Sequence, residues 1–196
     1  FEAVTGRDLS RIAEWYERTG TPRVAVYGSY DPAARTYRLA FRQTRPGAGA
    51  DAPIFLKADV TAEAGIQELV KSIVGRLGRI DILLHLVGGY VGDLPVAGLP
   101  EATWDHMLNL NLKSAFLCCK HVVPVMQRQG EGRIVTVSSR AAIRVFPGIS
   151  AYAAAKAGLI AFTETLAGEV LKDNITVNTI LPSVIDTPAN RQAMPG

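Results

Sequence analysis

The sequence lacks any apolar stretch long enough to cross a membrane, which takes roughly 18 consecutive apolar residues. The most apolar window, residues 82–99, is interrupted by His85, Asp93, Pro95 and several glycines. The first ten residues, FEAVTGRDLS, lack a basic start followed by an apolar run, which argues against a secretory signal. We therefore expect a cytoplasmic protein with no membrane partner.

Cysteine and net charge are also scarce. The two cysteines, Cys118 and Cys119, are adjacent, and such neighbours seldom form a disulfide or make a metal site by themselves. We expect free thiols in a reducing compartment and no metal. The formal net charge is only +3, and Lys and Arg form no run or stripe, so the sequence does not indicate a nucleic-acid partner.

Lysine is absent from the first fifty residues, whose basic residues are all arginine, and first occurs at Lys57. The stretch TRPGAGADAP, residues 44–53, is rich in Gly, Pro and Ala, which is typical of a loop or joint. A chain of 196 residues fits one domain with an appendage. We predict a division into residues 1–50 and residues 51–196.

The pattern before the joint predicts a helix followed by a β-hairpin. Residues 8–18 are typical of a short helix. Residues 23–30 and 36–43 are rich in Val, Tyr, Leu and Phe, and DPAA (31–34) between them is typical of a turn. The strands of such a hairpin are antiparallel.

After the joint, nearly continuous apolar strands alternate with helices, which predicts a parallel sheet covered on both faces. The predicted strands cover residues 54–58, 80–87, 133–137 and 175–181. The predicted helices cover residues 62–77, with Thr61 as N-cap, 101–129, with a kink or break at Pro124, and 150–171. The fold class is α/β, a three-layer sandwich.

Within the helical stretches 103–129 and 150–171, residues 107–125 are apolar on nearly all sides and residues 151–167 contain many small residues. A helix that is apolar all round is buried on two sides. In a small domain one of those sides can be another subunit, so we expect a homodimer or homotetramer through these helices. The alternative is that both sides pack against the chain's own loops.

Of the six tyrosines, Tyr152 alone has a lysine four residues later, Lys156. That spacing places both side chains on one face of a helix. An ammonium close to a phenol favours the ionised phenol, which then serves as a general acid or base near neutral pH.

Two polar residues strengthen this pair. Ser139 follows the strand 133–137 at its carboxyl end, where ligands bind in open α/β sheets. Its hydroxyl can donate to a substrate carbonyl oxygen, although a helix cap or turn former is an alternative role. Asn111 lies in an apolar helix, where its amide needs partners; a kinked helix with a bound water and a satisfied core amide are both open.

These residues belong to a series of motifs in a fixed order. The motifs are Asp59-Val60, HLVGG (85–89), NLNLKSAF (109–116), GRIVTVSS (132–139), YAAAK (152–156) and ITVNTILPSVIDTP (175–188). Their order and spacing over residues 54–188 resemble the short-chain dehydrogenase/reductase family. The resemblance implies a Rossmann-like fold and an oxidoreductase that transfers hydride between NAD(P) and a small-molecule carbonyl or alcohol.

The resemblance also implies a role for each matching residue. Tyr152 matches the proton donor and acceptor, and Lys156 matches the residue that activates it and binds the nicotinamide ribose. Ser139 matches the hydroxyl that orients the substrate, and Asn111 matches the residue that holds a proton-relay water. The remaining cofactor positions are Asp59 and Val60 at the adenine, Gly88 beside the adenosine ribose, and Pro182, Ile185 and Thr187 at the nicotinamide carboxamide.

Residues 1–53 lack the family's TGxxxGxG turn, which brings backbone N–H groups and a helix N-terminus to the pyrophosphate. VAVYGSYD (24–31) begins as a suitable strand, but Gly28 is followed by Ser, Tyr, Asp and Pro. Losing the turn removes several charge-assisted hydrogen bonds, each worth roughly 1.5–3 kcal/mol. We expect NAD or NADP to bind weakly or not at all, and the hairpin to replace the first βαβ unit in a mostly parallel sheet.

Residues 1–45 resemble another family. FEAVTGRDL, WYERTGTPRVAV and SYDPAARTYRLAFRQTRP are similar to a stretch of zinc aminopeptidases of the aminopeptidase N type. The stretch contains no HExxH metal motif, so no peptidase chemistry is implied. The chain is thus predicted to be chimeric, a fusion of two unrelated gene fragments.

Smaller departures from the first family concern the rim of the site. The family's NNAG is His85-Leu86-Val87-Gly88 here, and we interpret His85 as a structural substitute rather than a catalyst. Ser183 stands where the family has glycine, which changes the nicotinamide-side loop. Because the family's substrate-covering helices are not found before Gly196, we expect an open active site.

Three functions follow from these observations. The first is the oxidoreductase with weakened or lost NAD(P) binding. The second is a cofactor-independent, esterase-like hydrolase with Ser139 as nucleophile and Tyr152 with Lys156 as base, although the motif GxSxG is absent. The third is a non-catalytic relic.

Overall fold

The computed structural model describes residues 23–31, 36–44 and 56–184. The chain divides into two compact units, residues 1–57 and 58–196, which are described separately. The predicted helix over residues 8–18 and most of the DPAA turn lie outside the described residues, as do Ile185 and Thr187.

The first unit contains the predicted hairpin. Strands β1 (Arg23–Asp31) and β2 (Thr36–Thr44) pair antiparallel, with Arg23 opposite Thr44 and Asp31 opposite Thr36. Aromatic and β-branched residues in both strands favour this extended pairing. The antiparallel hairpin is therefore confirmed.

The short strand β3 (Leu56–Ala58) belongs to the same sheet, whose order is β1-β2-β3. We expected this segment to begin the parallel sheet, and that part of the prediction is wrong. An apolar strand pattern specifies which face is buried but not which strand edge it pairs with, and the edge of a hairpin offers unpaired backbone groups.

The second unit is built on a parallel sheet. Its strands are β4 (Ile82–His85), β5 (Gly132–Val137) and β6 (Ile175–Ile180), in the order β4-β5-β6. Ile82 lies opposite Arg133, and Gly132 lies opposite Ile175. The parallel pairing of these apolar strands confirms the predicted α/β class.

Within residues 58–184, four α-helices lie around this sheet. They are α1 (Glu63–Leu77), α2 (Glu101–Leu108), α3 (Ser114–Gln129) and α4 (Ser150–Glu169). Short 3₁₀ turns occupy Val96–Gly98, Arg140–Ala142 and Leu171–Asp173. Fully buried side chains of Ile134, Leu159 and Met126, from β5, α4 and α3, form the centre of the core. None of the helices within the described part of the chain is long and apolar enough to span a membrane.

The start of α1 differs from the prediction. Ala62 occupies the N-cap position and makes no side-chain capping bond. The Thr61 hydroxyl and backbone N–H instead donate to Asp59 Oδ1, at 2.7 and 2.9 Å. The N-cap role predicted for Thr61 is wrong because the preceding aspartate captures its hydroxyl in a tight turn.

The helix predicted over residues 101–129 is interrupted at a different place. A π turn, Asn109–Lys113, separates α2 from α3, while Pro124 lies inside α3 without ending it. The Asn111 side-chain amide donates to Met107 O at 3.0 Å. It thus supplies a donor to a carbonyl four residues back and competes with the regular α-helical pattern. Of the two outcomes expected at Pro124, a kink or a break, the break is wrong, and the helix is interrupted at the π turn instead.

Candidate active site

The carboxyl ends of the three parallel strands meet at one edge of the sheet. There the backbone N–H of Ser138 donates to Ile180 O at 2.9 Å, and the N–H of Arg140 donates to Pro182 O at 3.1 Å. These bonds hold the chain segments that follow β5 and β6 side by side. Ligands of open α/β folds bind at such an edge.

Helix α4 is fixed to the end of β5 by a reciprocal pair of bonds. The Lys156 ammonium donates to Val137 O at 2.8 Å, and the Ser138 hydroxyl donates to Lys156 O at 2.8 Å. Ser138 is buried, and Lys156 is only 4% exposed. The sequence did not predict this role of Ser138, because no sequence pattern shows that its hydroxyl reaches a carbonyl on a distant helix.

Lys156 and Tyr152 lie on one face of α4, as their spacing predicts. The Lys156 nitrogen is 5.9 Å from the centre of the Tyr152 ring. Burial lowers the pKa of Lys156 to about 8, because the charged amine is costly to remove from water. An amine with such a pKa can gain or lose a proton near neutral pH.

Asn111 is completely buried in the π turn. Its amide nitrogen donates to Gly89 O at 3.1 Å as well as to Met107 O, and its Oδ1 accepts from Gly89 N–H at 3.1 Å. These bonds satisfy the amide, as the alternative of a core amide requires. They also tie the π turn to the loop that follows β4.

The side chains of Asn111 and Lys156 both lie close to the backbone of Gly88. A Cβ atom at residue 88 would lie 2.9 Å from Asn111 Oδ1 and 3.1 Å from Lys156 Nζ. Both distances are shorter than an ordinary van der Waals contact, so residue 88 must be glycine for both polar groups to approach the strand end. The residues predicted on α4 and on the π turn therefore converge at one point.

Ser139 follows directly in extended conformation, with φ −157° and ψ 152°. Its hydroxyl oxygen accepts from Ala141 N–H at 3.1 Å and so caps the turn Arg140–Ala142. The turn-forming alternative for Ser139 is present in the structure. Because this bond uses only an oxygen lone pair, the hydroxyl proton stays available to a substrate oxygen.

Tyr90 is a neighbour of the candidate catalytic tyrosine that sequence reasoning missed. Its ring meets the Tyr152 ring edge to face, with 5.2 Å between the centres and 80° between the planes. Tyr90 is nevertheless 63% exposed. A Cβ atom at Gly92 would collide with the Tyr90 ring, so the glycine is needed for this position of the ring. The available signal was the pair of nearby glycines, Gly89 and Gly92, around an aromatic residue.

The loop that carries Tyr90 is joined to the segment before α4. Leu94 N–H donates to Gly148 O at 3.1 Å. Gly148 has a φ of +83°, and a Cβ atom there would lie 3.2 Å from Asp93 Cα. Asp93 itself has a φ of +61°. The two loops thus approach closely beside Tyr152.

His85 lies behind the site rather than in it. It is 3% exposed, and its Nε2 is 3.1 Å from the Ser114 hydroxyl. Burial and then the nearby charge of Lys156 lower the pKa of His85 to about 4. An imidazole with this pKa is neutral and a weak base near pH 7. Within the residues that the structure describes, no group of three or more His, Cys, Asp or Glu side chains could hold a metal ion.

The residues predicted to contact the rest of the cofactor are described only in part. Asp59 and Val60 lie in the turn before α1, where Asp59 Oδ1 already accepts two bonds from Thr61 and the Val60 side chain is buried. Pro182 is half-buried and bonded to Arg140. Ile185 and Thr187 lie outside the described residues.

Comparison with known proteins identifies the family of this chain. The family model described as short chain dehydrogenase matches residues 24–195. Its match overlaps the aminopeptidase resemblance over residues 24–45. A solved structure titled as NAD+-bound xylitol dehydrogenase is similar with a TM-score of 0.67 and 33% identity, covering 69% of this chain and 52% of that one.

Two curated relatives are similar over the same region. "Probable galactose dehydrogenase GalD" of Rhizobium meliloti (strain 1021) is 38% identical, over 72% of this chain and 55% of its own length. The 3-oxoacyl-[acyl-carrier-protein] reductase FabG of Thermotoga maritima is 42% identical, over 66% of this chain and 52% of its own length. The chain thus spans about half the length of these relatives. On the strength of the family match, this chain belongs to the short-chain dehydrogenase/reductase family.

Proposed function

We propose that the chain is an oxidoreductase of NAD(P) type whose proton-transfer centre consists of Asn111, Ser139, Tyr152 and Lys156. The observation that carries the proposal is the Lys156 amine. It is buried beside Asn111 and Tyr152 and bonded to a backbone carbonyl, and none of the ion pairs among the described residues includes it. A buried amine without a carboxylate costs stability, which is typical of functional sites.

Each of these residues has a separate role in the reduction of a carbonyl or in the reverse oxidation of an alcohol. The Ser139 hydroxyl donates to the substrate oxygen and orients it. The Tyr152 hydroxyl passes a proton to that oxygen, with the Lys156 amine beside it. Asn111 keeps the loop after β4 in place through both bonds with Gly89. A bound nicotinamide would supply or accept the hydride.

The residues present support binding at the nicotinamide end more than at the phosphates. The Lys156 ammonium donates one of its three N–H groups to Val137 O, which leaves donors for a hydroxyl of the nicotinamide ribose. Gly88 stays the proposed neighbour of the adenosine ribose. Residues 1–53, in contrast, have no TGxxxGxG turn for the pyrophosphate. We therefore propose weak binding of NAD or NADP, with Asp59, Val60, Pro182, Ile185 and Thr187 as further contacts.

Isothermal titration with NADH and NADPH tests the cofactor, because it does not require turnover. We expect binding weaker than micromolar but tighter than millimolar. If neither cofactor binds at millimolar concentration and an activated ester is hydrolysed by the wild type but not by Ser139→Ala, the hydrolase replaces the oxidoreductase. If neither binding nor hydrolysis occurs, the chain is a relic.

We also propose a homodimer or homotetramer through residues 103–129 and 150–171. Phe116 on α3 and Phe162 on α4 form an edge-to-face pair, and Phe116 stays 43% exposed. An exposed phenylalanine packed on a half-buried one, on two adjacent helices, favours contact with a second copy. Light scattering should show a dimer or larger for the wild type and a monomer for Phe116→Glu.

We also propose that the chain divides into residues 1–50 and residues 51–196. The separation of two compact units after Lys57 supports a joint in this region. Limited proteolysis of the full chain, followed by mass spectrometry, should yield a resistant fragment that begins within residues 44–57. Sequencing of the genomic DNA across codons 44–57 tests whether residues 1–45 were joined to the dehydrogenase part as an aminopeptidase-like fragment.

We also propose a cytoplasmic location. Cys118 and Cys119 are unpaired and buried, and burial raises the pKa of each to about 12. Buried thiols of this kind suit a reducing compartment and need no disulfide partner. Cell fractionation tests the location directly.

A further inference from the structure

Two buried polar residues behind the site have no role in the chemistry proposed above. His85 ends β4, where the family carries the first asparagine of NNAG, and Ser114 begins α3. Both are almost completely buried. The His85 Nε2 and the Ser114 hydroxyl lie 3.1 Å apart.

The protons in this pair can be assigned by counting donors. A serine hydroxyl has one proton, and the Ser114 proton goes to Leu110 O, at 2.6 Å. The Ser114 oxygen can therefore only accept from His85, so the imidazole carries its proton on Nε2. His85 Nδ1, which then holds a lone pair, has no hydrogen-bond partner among the described residues.

Ser114, which follows the π turn, bonds back to the first two residues of the turn. The Ser114 backbone N–H donates to Asn109 O, five residues back, while the Ser114 hydroxyl donates to Leu110 O. The carbonyl that a regular helix would give to the backbone N–H of Ser114 thus receives the side chain instead. Asn111 lies within the segment that these bonds close, between Leu110 and Ser114, and its side-chain amide bonds to the backbone of Gly89.

We propose that His85 is a positioning residue, which holds the π turn through Ser114 and thereby keeps the Asn111 amide on the backbone of Gly89. The catalytic consequence of this proposal rests on the proposed oxidoreductase function, whereas its structural consequence does not. The His85 imidazole at the end of β4 replaces the family's amide and reaches α3 through the Ser114 hydroxyl. The bond between Gly89 N–H and Asn111 Oδ1 reports whether the π turn is held.

The chain contains a matched control for Ser114. Thr163 on α4 is also buried, and its hydroxyl also donates four residues back, to Leu159 O at 2.7 Å. It also meets a strand side chain, Thr136 on β5, at 3.0 Å. Thr163 lies in a regular helix, so Thr163→Val removes the same chemistry without touching a π turn.

Hydrogen exchange of the Gly89 amide, followed by NMR on the full chain without cofactor, tests the proposal. Ser114→Ala should speed this exchange about tenfold, the size expected from losing one hydrogen bond, and Thr163→Val should leave it within about twofold of the wild type. Equal exchange in Ser114→Ala and the wild type would overturn the proposal. So would equal acceleration in both variants, which would indicate a general loss of stability.

The wild-type chain offers a second measurement that requires no variant. Nitrogen-15 NMR of the histidine side chains should find His85 neutral at pH 7 with its proton on Nε2. A proton on Nδ1, or a charged ring, would refute the arrangement. If the exchange and the tautomer agree with expectation but no NAD(P)H-dependent activity exists, the positioning role stands and the proposed function fails.

Where the wild type does turn over, kinetics separate positioning from stability. Ser114→Ala should lower kcat about tenfold with KM nearly unchanged, because Asn111 and the loop that it holds shift while the substrate contacts of Ser139 and Tyr152 stay. Thr163→Val should retain kcat at a temperature where both variants are folded. A rise of KM alone in Ser114→Ala would contradict the role assigned to His85.

Discussion

At the scale of the residue, the site consists of buried polar groups whose hydrogen-bond partners are backbone groups. Lys156 bonds to Val137 O, Asn111 bonds to Gly89 in both directions, and Gly88 leaves room for both side chains. Burial of an amine costs free energy that a lysine on the surface does not incur. A change at these residues should therefore alter the stability of the fold as well as the activity.

The Lys156 amine should make stability depend on pH. Burial lowers its pKa from 10.5 to about 8, so between these values the unfolded chain binds the proton that the folded chain has released. The contribution of Lys156 to the free energy of unfolding should therefore rise with pH across that window, by up to roughly 3 kcal/mol, and the full penalty of the buried charge should be present below pH 8. The raised pKa values of Cys118 and Cys119 act in the opposite direction above pH 9, equally in the wild type and in Lys156→Met. Urea denaturation of both chains between pH 7 and pH 10.5 therefore measures the Lys156 contribution as the difference between their free energies of unfolding. A difference that does not change with pH would contradict the prediction.

The glycine at residue 88 allows a steric test. Gly88→Ala places a methyl group within 3.1 Å of both Asn111 Oδ1 and Lys156 Nζ, so it should displace them and reduce turnover at least about tenfold. Gly75→Ala in α1 is the control, since its methyl group would meet nothing within 4 Å. The control should keep its turnover and gain about 0.5–1 kcal/mol in the free energy of unfolding, because alanine favours the helix. Unchanged activity of Gly88→Ala would mean that the close approach at residue 88 has no part in the reaction.

At the scale of the element, the sequence predicted the type of most segments but not how they are interrupted. Continuous apolar runs identified β4, β5 and β6, and the spacing of Tyr152 and Lys156 placed both correctly on one face of α4. A kinked helix at Asn111 was one of two alternatives from the sequence, but the π turn itself was not predicted, because periodicity does not reveal a side-chain amide that bonds to a backbone carbonyl. The pairing of β3 was missed because the strand pattern does not encode the partner strand.

The junction of the two loops beside Tyr152 should be sensitive to substitution. Gly148 and Gly130 have similar positive φ angles, +83° and +75°, but only Gly148 approaches another backbone, at Asp93. Gly130→Ala should cost about 1–2 kcal/mol from its left-handed conformation alone. Gly148→Ala should cost more and should also lower kcat/KM, because the loop of Tyr90 must move away. Denaturation and steady-state kinetics on both variants check this, and identical effects would contradict the importance of the loop contact.

At the scale of the whole molecule, the family motifs lie in the second compact unit, residues 58–196. Residues 58–184 form the parallel sheet, the helices and the converging site, and the motif order already indicated this arrangement. The tertiary bonds of Ser138, Tyr90 and His85 could not be predicted, because they join residues from separate elements. The hairpin was predictable because its strands and turn are local in sequence.

The central claim is that Tyr152 transfers a proton to or from the substrate. The most direct measurement is the rate of NADH- or NADPH-dependent reduction of a carbonyl compound by Tyr152→Phe and, as its matched control, Tyr90→Phe. The two tyrosines pack edge to face, so each variant removes one hydroxyl from the same pair of rings. We predict that Tyr152→Phe lowers kcat at least about a hundredfold, as the loss of a general acid does, whereas Tyr90→Phe stays within about threefold of the wild type. Full activity of Tyr152→Phe would contradict the account.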